Sequence, residues 1–195
     1  MLPIMLNAAR MPVLLAGRGA ALRKRLALLD DAGAQAEVYT PDADAALAAA
    51  LGSRLHARLP EEREIAAHRL LFVVGLDEHT TSHLVAAGRA HGLLVNAEDV
   101  PVLCDFHMPA MVRRGDLLLT VSTGGHSPAL AATLRAWLAD RIGVEWTERL
   151  REAARLRRSL REAGAPASRV TEETAGLVRR RRWLDAAPPG SATAL

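Results

Sequence analysis

Short apolar runs alternate with longer segments of amphipathic spacing through the first part of the chain. The run Leu70–Val74 has no polar position, which is typical of a strand that is covered on both faces of a sheet. After such runs, apolar residues recur with the spacing of an α-helix. Gly33 and Gly92 mark the ends of two of these predicted helices. The pattern predicts strands at 11–16, 36–40, 70–74 and 93–96, and helices at 20–32, 42–51 and 80–91. Strands and helices that alternate in this way predict an α/β fold built on a doubly wound parallel sheet.

A further apolar run at 117–122 leads into a turn that is rich in hydroxyl groups and glycine. The run predicts a strand that is buried on both faces, and the residues after the turn predict a helix with Ser127 as its N-cap and Pro128 at its first position. The turn would then lie at a helix N-terminus, where backbone N–H groups and the helix dipole favour an anionic ligand. A tight connection that binds nothing explains the same residues equally well.

The composition changes after residue 138, where the strand pattern ends. Two amphipathic helices are predicted at 146–163 and 167–184, and the segment from Gly164 to Pro166 joins them. Residues 188–195 are rich in proline and small residues and are predicted to form a disordered tail.

Length and composition narrow the class of protein. A chain of 195 residues can bury one domain core and carry a smaller appendage. Because no apolar run approaches the roughly 18 residues that span a bilayer, we expect a cytoplasmic protein without a membrane partner. The single cysteine, Cys104, excludes an internal disulfide framework. The arginine run at 179–182 could bind nucleic acid, but aromatic residues are scarce, so we favour a solvated helix end.

A glycine pair stands where the first strand meets the first helix. Gly17 and Gly19 have the spacing of a dinucleotide-binding turn, although Leu22 stands where a third glycine or alanine is usual. Asp42 is the acid nearest to the end of the second strand, where a carboxylate would bind a ribose hydroxyl. Arg18 could pair with a phosphate or point to solvent. The predicted cofactor-binding residues are Gly17, Arg18, Gly19, Ala20, Ala21, Pro41 and Asp42.

Several short segments of the chain have the order and spacing of motifs from one protein family. They are Leu2-Pro-Ile-Met-Leu-Asn7, Val95-Asn96, Asp99-Val-Pro101, Leu103-Cys-Asp-Phe106, Met108-Pro-Ala110 and Val121-Ser-Thr-Gly-Gly-His-Ser-Pro128. In these segments the chain resembles the precorrin-2 dehydrogenase and sirohydrochlorin ferrochelatase family, which forms the amino-terminal module of siroheme synthases. The resemblance implies a Rossmann-like NAD-binding domain at 1–112, a dimerisation segment at 113–145, a small helical C-terminal domain at 146–187 and a homodimer with its active site in the cleft between domains.

The resemblance also implies a reaction. It is the NAD-dependent oxidation of precorrin-2 to sirohydrochlorin, which many members combine with the insertion of ferrous iron. Asp99 occupies the position of the family's general base, and a carboxylate suits that role because the oxidation removes a proton as well as a hydride. The residues expected to bind the tetrapyrrole are Ser122, Thr123, Gly124, Gly125 and His126, with Arg113 and Arg114 as additional cations.

Other interpretations stay open. The glycine turn is one residue shorter than the family's, and the segment that begins at Gly75 also departs from the family pattern, so a tetrapyrrole-binding chelatase, carrier or sensor without dehydrogenase activity is the alternative hypothesis. Asp99 alone could be an ordinary turn residue before Val100 and Pro101. His107 and His126 could be transient metal ligands or proton carriers, or simply surface histidines, and their spacing predicts no permanent metal site.

Overall fold

The computed structural model describes residues 1–185, and it contains two compact units. The first unit is Met1–Met108, and the second begins at Pro109. The predicted domain limits at residues 112 and 145 stay predictions. The predicted tail at 188–195 lies outside the described residues. No helix in the described part of the chain is long and apolar enough to cross a membrane.

The first unit is built on a sheet of five parallel strands in the order β3-β2-β1-β4-β5. These strands are β1 (Val13–Gly17), β2 (Glu37–Tyr39), β3 (Leu55–His56), β4 (Leu70–Val74) and β5 (Leu94–Ala97). Every residue of β1 and β4 is buried, as the absence of polar positions predicted. The order reverses direction beside β1, which confirms the predicted doubly wound parallel sheet.

Helices cover both faces of this sheet. They are α1 (Gly19–Asp31), α2 (Ala45–Leu51), α3 (Glu62–Ala66) and α4 (Glu78–Ala90). Leu22 and Leu26 of α1 pack in one core cluster, whereas Ile65 of α3 and Leu84 of α4 pack in the other. The apolar stripe of each helix is therefore buried against one side of the sheet.

Two elements of the first unit were not predicted, and one helix begins later than predicted. Strand β3 has two residues and α3 has five, which is too short for a periodic pattern to emerge. Helix α2 begins at Ala45 rather than at residue 42, because the side chain of Asp44 accepts a hydrogen bond from the Leu47 N–H and so provides the N-cap.

Between residues 109 and 185, the second unit combines a hairpin with three helices. Strands β6 (Ala110–Arg114) and β7 (Leu117–Val121) are antiparallel, and α5 (Pro128–Arg141), α6 (Trp146–Glu162) and α7 (Ala167–Arg180) follow. The prediction that 117–122 is buried on both faces was wrong. The run pairs only with β6, which was not predicted, and none of its residues is fully buried. An apolar run shows that a strand forms but does not show which sheet it joins.

Side chains fix the ends of the helices in this unit. Ser127 caps α5 as predicted, because its hydroxyl accepts a hydrogen bond from the Leu130 N–H at 3.3 Å. At the other end of α5, Arg114 donates to the carbonyl groups of Ala139 and Ile142. Arg114 therefore stabilises a helix C-terminus and is not the free cation that we expected for substrate binding.

Candidate active site in the first unit

Four loops meet one edge of the parallel sheet. Because β2, β1, β4 and β5 are neighbours and run in the same direction, the loops that follow them lie side by side at the carboxyl edge. These loops carry Arg18, Asp42, Gly75 and Asp99. Ligands of open α/β sheets bind at this edge, beside the point where the strand order reverses.

The turn after β1 leaves space for a ligand beside the backbone. A Cβ at Gly17 would lie 2.2 Å from the carbonyl oxygen of Val74, so only glycine allows β1 and β4 to approach here. Gly19 has a φ of +64° and opens α1, and no atom lies within 4 Å of the position a Cβ would take. The residues present therefore fit a pyrophosphate against the helix N-terminus.

A third glycine, directly after the neighbouring strand β4, packs against this turn. Gly75 follows β4 with a φ of +64°, and a Cβ there would lie 2.7 Å from the carbonyl oxygen of Arg18. The backbone N–H of Arg18 donates to the Val74 carbonyl at 3.2 Å. The sequence showed Gly75 only as a departure from the family pattern. Its position beside Arg18 is a tertiary contact, which no local motif signals.

Arg18 and Asp42 lie together at the ends of β1 and β2. The Arg18 Nε and the Asp42 carboxylate are 3.8 Å apart, and both side chains are half-exposed. The backbone N–H of Asp42 donates to the hydroxyl of the buried Thr40 at 3.1 Å, which fixes the loop. Arg18 thus lies beside a carboxylate that is itself a predicted cofactor-binding residue, and both alternatives for Arg18 stay predictions.

Asp99 occupies a left-handed turn directly after β5. Its φ is +59°, a conformation that is uncommon for residues other than glycine and that aspartate tolerates better than most. The side chain is exposed. Backbone hydrogen bonds hold both sides of the turn, from the Glu98 N–H to Val73 at 2.9 Å and from the Val100 N–H to Ala97 at 3.4 Å. The surrounding sheet therefore presents the carboxylate to solvent at the edge.

Residues after the turn tie it to β5. The Asp105 carboxylate accepts from the Val95 N–H at 2.9 Å and pairs with Arg89 at 2.8 Å. The Cys104 thiol donates to the Ala97 carbonyl at 3.0 Å. The side chains of segment 103–106 therefore stabilise the Asp99 turn by hydrogen bonds and an ion pair.

A buried arginine below this turn was not predicted from the sequence. The Arg25 side chain on α1 is 10% exposed, lies 3.8 Å from the Glu98 carboxylate and stacks over the Phe72 ring at 5.3 Å. Its Nη1 is buried without a hydrogen-bond partner among residues 1–185. Burial lowers the pKa of Arg25, while the negative charges of Glu98 and Asp99 act in the opposite direction. This cation therefore lies beside Glu98, the residue that precedes the predicted base.

The predicted tetrapyrrole-binding turn belongs to the second unit. The Thr123 hydroxyl accepts from the Ser127 N–H and donates to the Ser127 carbonyl, each at 3.1 Å. The Ser122 hydroxyl accepts from the Gly124 N–H at 3.2 Å. Both hydroxyl groups therefore hold the turn in shape, whereas the position above Gly125 is open, with a φ of +86°.

The two histidines with an uncertain role are both exposed. His107 lies before β6 and His126 lies in the turn before α5. Among residues 1–185 no group of three or more histidine, cysteine or acidic side chains is arranged to hold a metal ion. Their role as transient ligands stays a prediction.

Comparisons with known proteins agree with this architecture. Residues 4–110 match the family model described as "Putative NAD(P)-binding". The chain is 36% identical over 165 residues to siroheme synthase of Methylococcus capsulatus, covering 83% of this chain and 35% of that protein. It is 32% identical over 205 residues to siroheme synthase of Nitrosococcus oceani, covering 97% of this chain and 39% of that protein. The chain thus spans little more than a third of the length of these relatives.

A solved structure shares the fold over most of the chain. It is SirC, a precorrin-2 dehydrogenase, which aligns with a TM-score of 0.71 and 22% identity. The alignment covers 95% of this chain and 98% of the other.

Proposed function

We propose that this chain, which belongs to the NAD(P)-binding family matched over residues 4–110, is a dehydrogenase. It would oxidise precorrin-2 to sirohydrochlorin, with NAD as the hydride acceptor. The observation that carries the proposal is the placement of the Asp99 carboxylate on the same sheet edge as the open turn at Gly19. The fold of SirC and the identity to siroheme synthases support this choice of substrate.

Residues at the ends of β1 and β2 would hold the cofactor. Gly19 leaves room for the pyrophosphate, and the α1 N-terminus supplies N–H groups toward it. Asp42 would accept a hydrogen bond from a ribose hydroxyl, while Arg18 supplies a positive charge beside the phosphates. When bound, NAD supplies the nicotinamide ring that takes up a hydride.

Asp99 would act as the general base. The oxidation removes a hydride from one carbon of the macrocycle and a proton from a neighbouring atom, so a base must take that proton. An exposed carboxylate on a fixed turn can approach a large planar substrate without a rearrangement of the protein. The same carboxylate would remove pyrrole protons if ferrous iron is inserted as a second substrate.

The turn at 122–126 would recognise the substrate by its carboxylates. Gly124 and Gly125 both have positive φ values, and the turn precedes α5, whose N-terminus favours anions. Arg113 is exposed on β6 and could pair with a carboxylate, whereas Arg114 is committed to α5.

The decisive experiment compares Asp99→Asn with Asp31→Asn, which changes another exposed acid, at the end of α1. NADH formation from precorrin-2 is followed by absorbance. We expect Asp99→Asn to lose activity by about 10²-fold or more, the usual contribution of a general base, with substrate affinity retained. Asp31→Asn should behave as the wild type. Full activity of Asp99→Asn would show that another group takes the proton.

A second candidate function is tetrapyrrole binding or metal chelation without dehydrogenase activity. The Arg18–Asp42 pair favours this second function. The two side chains expected to bind NAD lie next to each other, and NAD binding would have to separate them. Calorimetric titration separates the candidates. Binding of sirohydrochlorin without measurable binding of NAD would favour the chelatase or carrier, and binding of both would favour the dehydrogenase.

We also propose that the protein is a homodimer in which α5 takes part. Ala131 is the one buried residue of this helix, and Leu130, Leu134 and Trp137 are 51%, 40% and 50% exposed. These three positions share one helical face. The hairpin beside it has only two strands, and such hairpins need further packing to be stable.

A further inference from the structure

The first turns of α4 carry two histidines that the proposed reaction does not use. His79 and His83 are four residues apart, so their side chains lie on one face of the helix, one turn apart. Both are exposed. Within residues 1–185, His56, His68 and His91 face carboxylates, but neither His79 nor His83 has a hydrogen-bond or ion-pair partner. Both imidazoles are therefore available to a ligand.

These histidines share an exposed surface with acidic groups at the start of α4. The surface is formed by Asp77, Glu78, His79, Ser82 and His83. The carboxylates of Asp77 and Glu78 on this surface favour the approach of a cation.

The helix that presents the histidines is held rigidly. Asp77 caps it by accepting from the Thr80 N–H and hydroxyl at 2.9 and 2.7 Å. Leu84 and Val85 are buried against the sheet. Gly88 is so close to β4 that a Cβ would lie 2.8 Å from the Leu71 side chain. Two ligands on a fixed helix lose little conformational freedom when they bind one ion.

We propose that His79 and His83 form a binding site for a divalent first-row transition-metal ion, with water completing its coordination. Neutral imidazole is a good ligand for cobalt, nickel, copper and zinc, and two histidines at this spacing bind one metal ion on helices elsewhere. The site lies at the start of α4, after β4, on the sheet edge that carries Asp99 beyond β5. Metal binding here does not depend on the proposed dehydrogenase reaction.

The test is calorimetric titration of the full chain, prepared without a histidine tag, with Ni²⁺ alone. We expect saturable binding of one ion per chain. His79→Gln and His83→Gln should each weaken binding at least about tenfold, since even the loss of an outer partner of a metal ligand has that effect. The exchange Glu78→His with His79→Glu keeps the composition but turns the histidines to different faces, and it should weaken binding equally.

Two controls make the result decisive. His126→Gln removes an exposed histidine of the second unit and should leave Ni²⁺ binding unchanged. Thermal unfolding of each variant, followed by circular dichroism, checks that the fold is retained. The proposal is wrong if the wild type binds no Ni²⁺, if both α4 variants bind as tightly as the wild type, or if His126→Gln loses the ion instead.

Discussion

At the residue scale, Arg25 shows how a charge can be kept inside an α/β core. Its guanidinium group loses most of its hydration on folding. In place of water it contacts the Glu98 carboxylate at 3.8 Å and the face of the Phe72 ring. Glu98 directly precedes Asp99 in the sequence, so the pair joins α1 to the turn that carries the predicted base. Truncation of Arg25 should therefore disturb both stability and that turn.

We expect Arg25→Met to lower the free energy of unfolding by about 1–3 kcal/mol, because it leaves the largely buried Glu98 without its partner. The double variant Arg25→Met with Glu98→Gln should recover part of the loss, since the replacement of both charges removes the unpaired one. Urea denaturation measures the wild type and both variants. Equal stability of Arg25→Met and the wild type would show that the pair contributes nothing.

A second ion pair should make stability depend on acidity. Arg58 donates to both Glu64 oxygens at 2.7 and 2.6 Å, and these hydrogen bonds lower the pKa of Glu64 from 4.5 to about 2. Because the folded pKa lies below the unfolded one, the stabilisation is complete above pH 4.5 and is lost as the pH falls toward 2. Glu64→Gln should flatten the decline of Tm in this range. Glu172→Gln, an exposed acid on α7, should leave the decline unchanged.

The amino-acid sequence identifies some of these residues but not their surroundings. The glycine pair has the spacing of a dinucleotide-binding turn, whereas Asp99 is singled out only by the resemblance of its surrounding segments to one family. Arg25 stands in a run with Arg23 and Lys24, and only the packing of α1 on β4 decides which of the three turns inward. The paired hydroxyl of Thr123 also depends on a hydrogen bond that forms only in the folded turn.

At the element scale, the connection of β1 to α1 depends on two glycines for different reasons. Gly17 is confined by the Val74 carbonyl, whereas Gly19 needs only its positive φ. We expect Gly17→Ala to destabilise the protein by about 1–3 kcal/mol through overpacking against backbone. Gly19→Ala should cost about 1–2 kcal/mol through strain alone, but it should also weaken NAD binding. Thermal unfolding measures the loss of stability in both variants, and titration with NAD measures the change in cofactor affinity. Tighter NAD binding by Gly19→Ala would contradict the proposed pyrophosphate site at the Gly19 turn.

Elements were predictable where their pattern was long and their environment uniform. Strands β1 and β4 are wholly apolar and wholly buried, so their position in the sheet centre follows from the sequence. Strand β7 has the same apolar character, yet it pairs with β6 in a half-buried hairpin. The apolar residues of β7 and α5 that are at least partly exposed in the single chain would be buried at an interface between two chains.

At the scale of the whole molecule, the exposed face of α5 predicts the oligomeric state. Light scattering during gel filtration should give the mass of two chains for the wild type. Leu134→Glu should shift the protein toward a monomer, because a charge would be buried at the centre of the interface. Ala132→Glu is the matched control, since it adds the same charge on the opposite side of α5 and should leave the dimer intact. A wild-type monomer would contradict the dimer. A dimer that survives Leu134→Glu would place the interface on another surface.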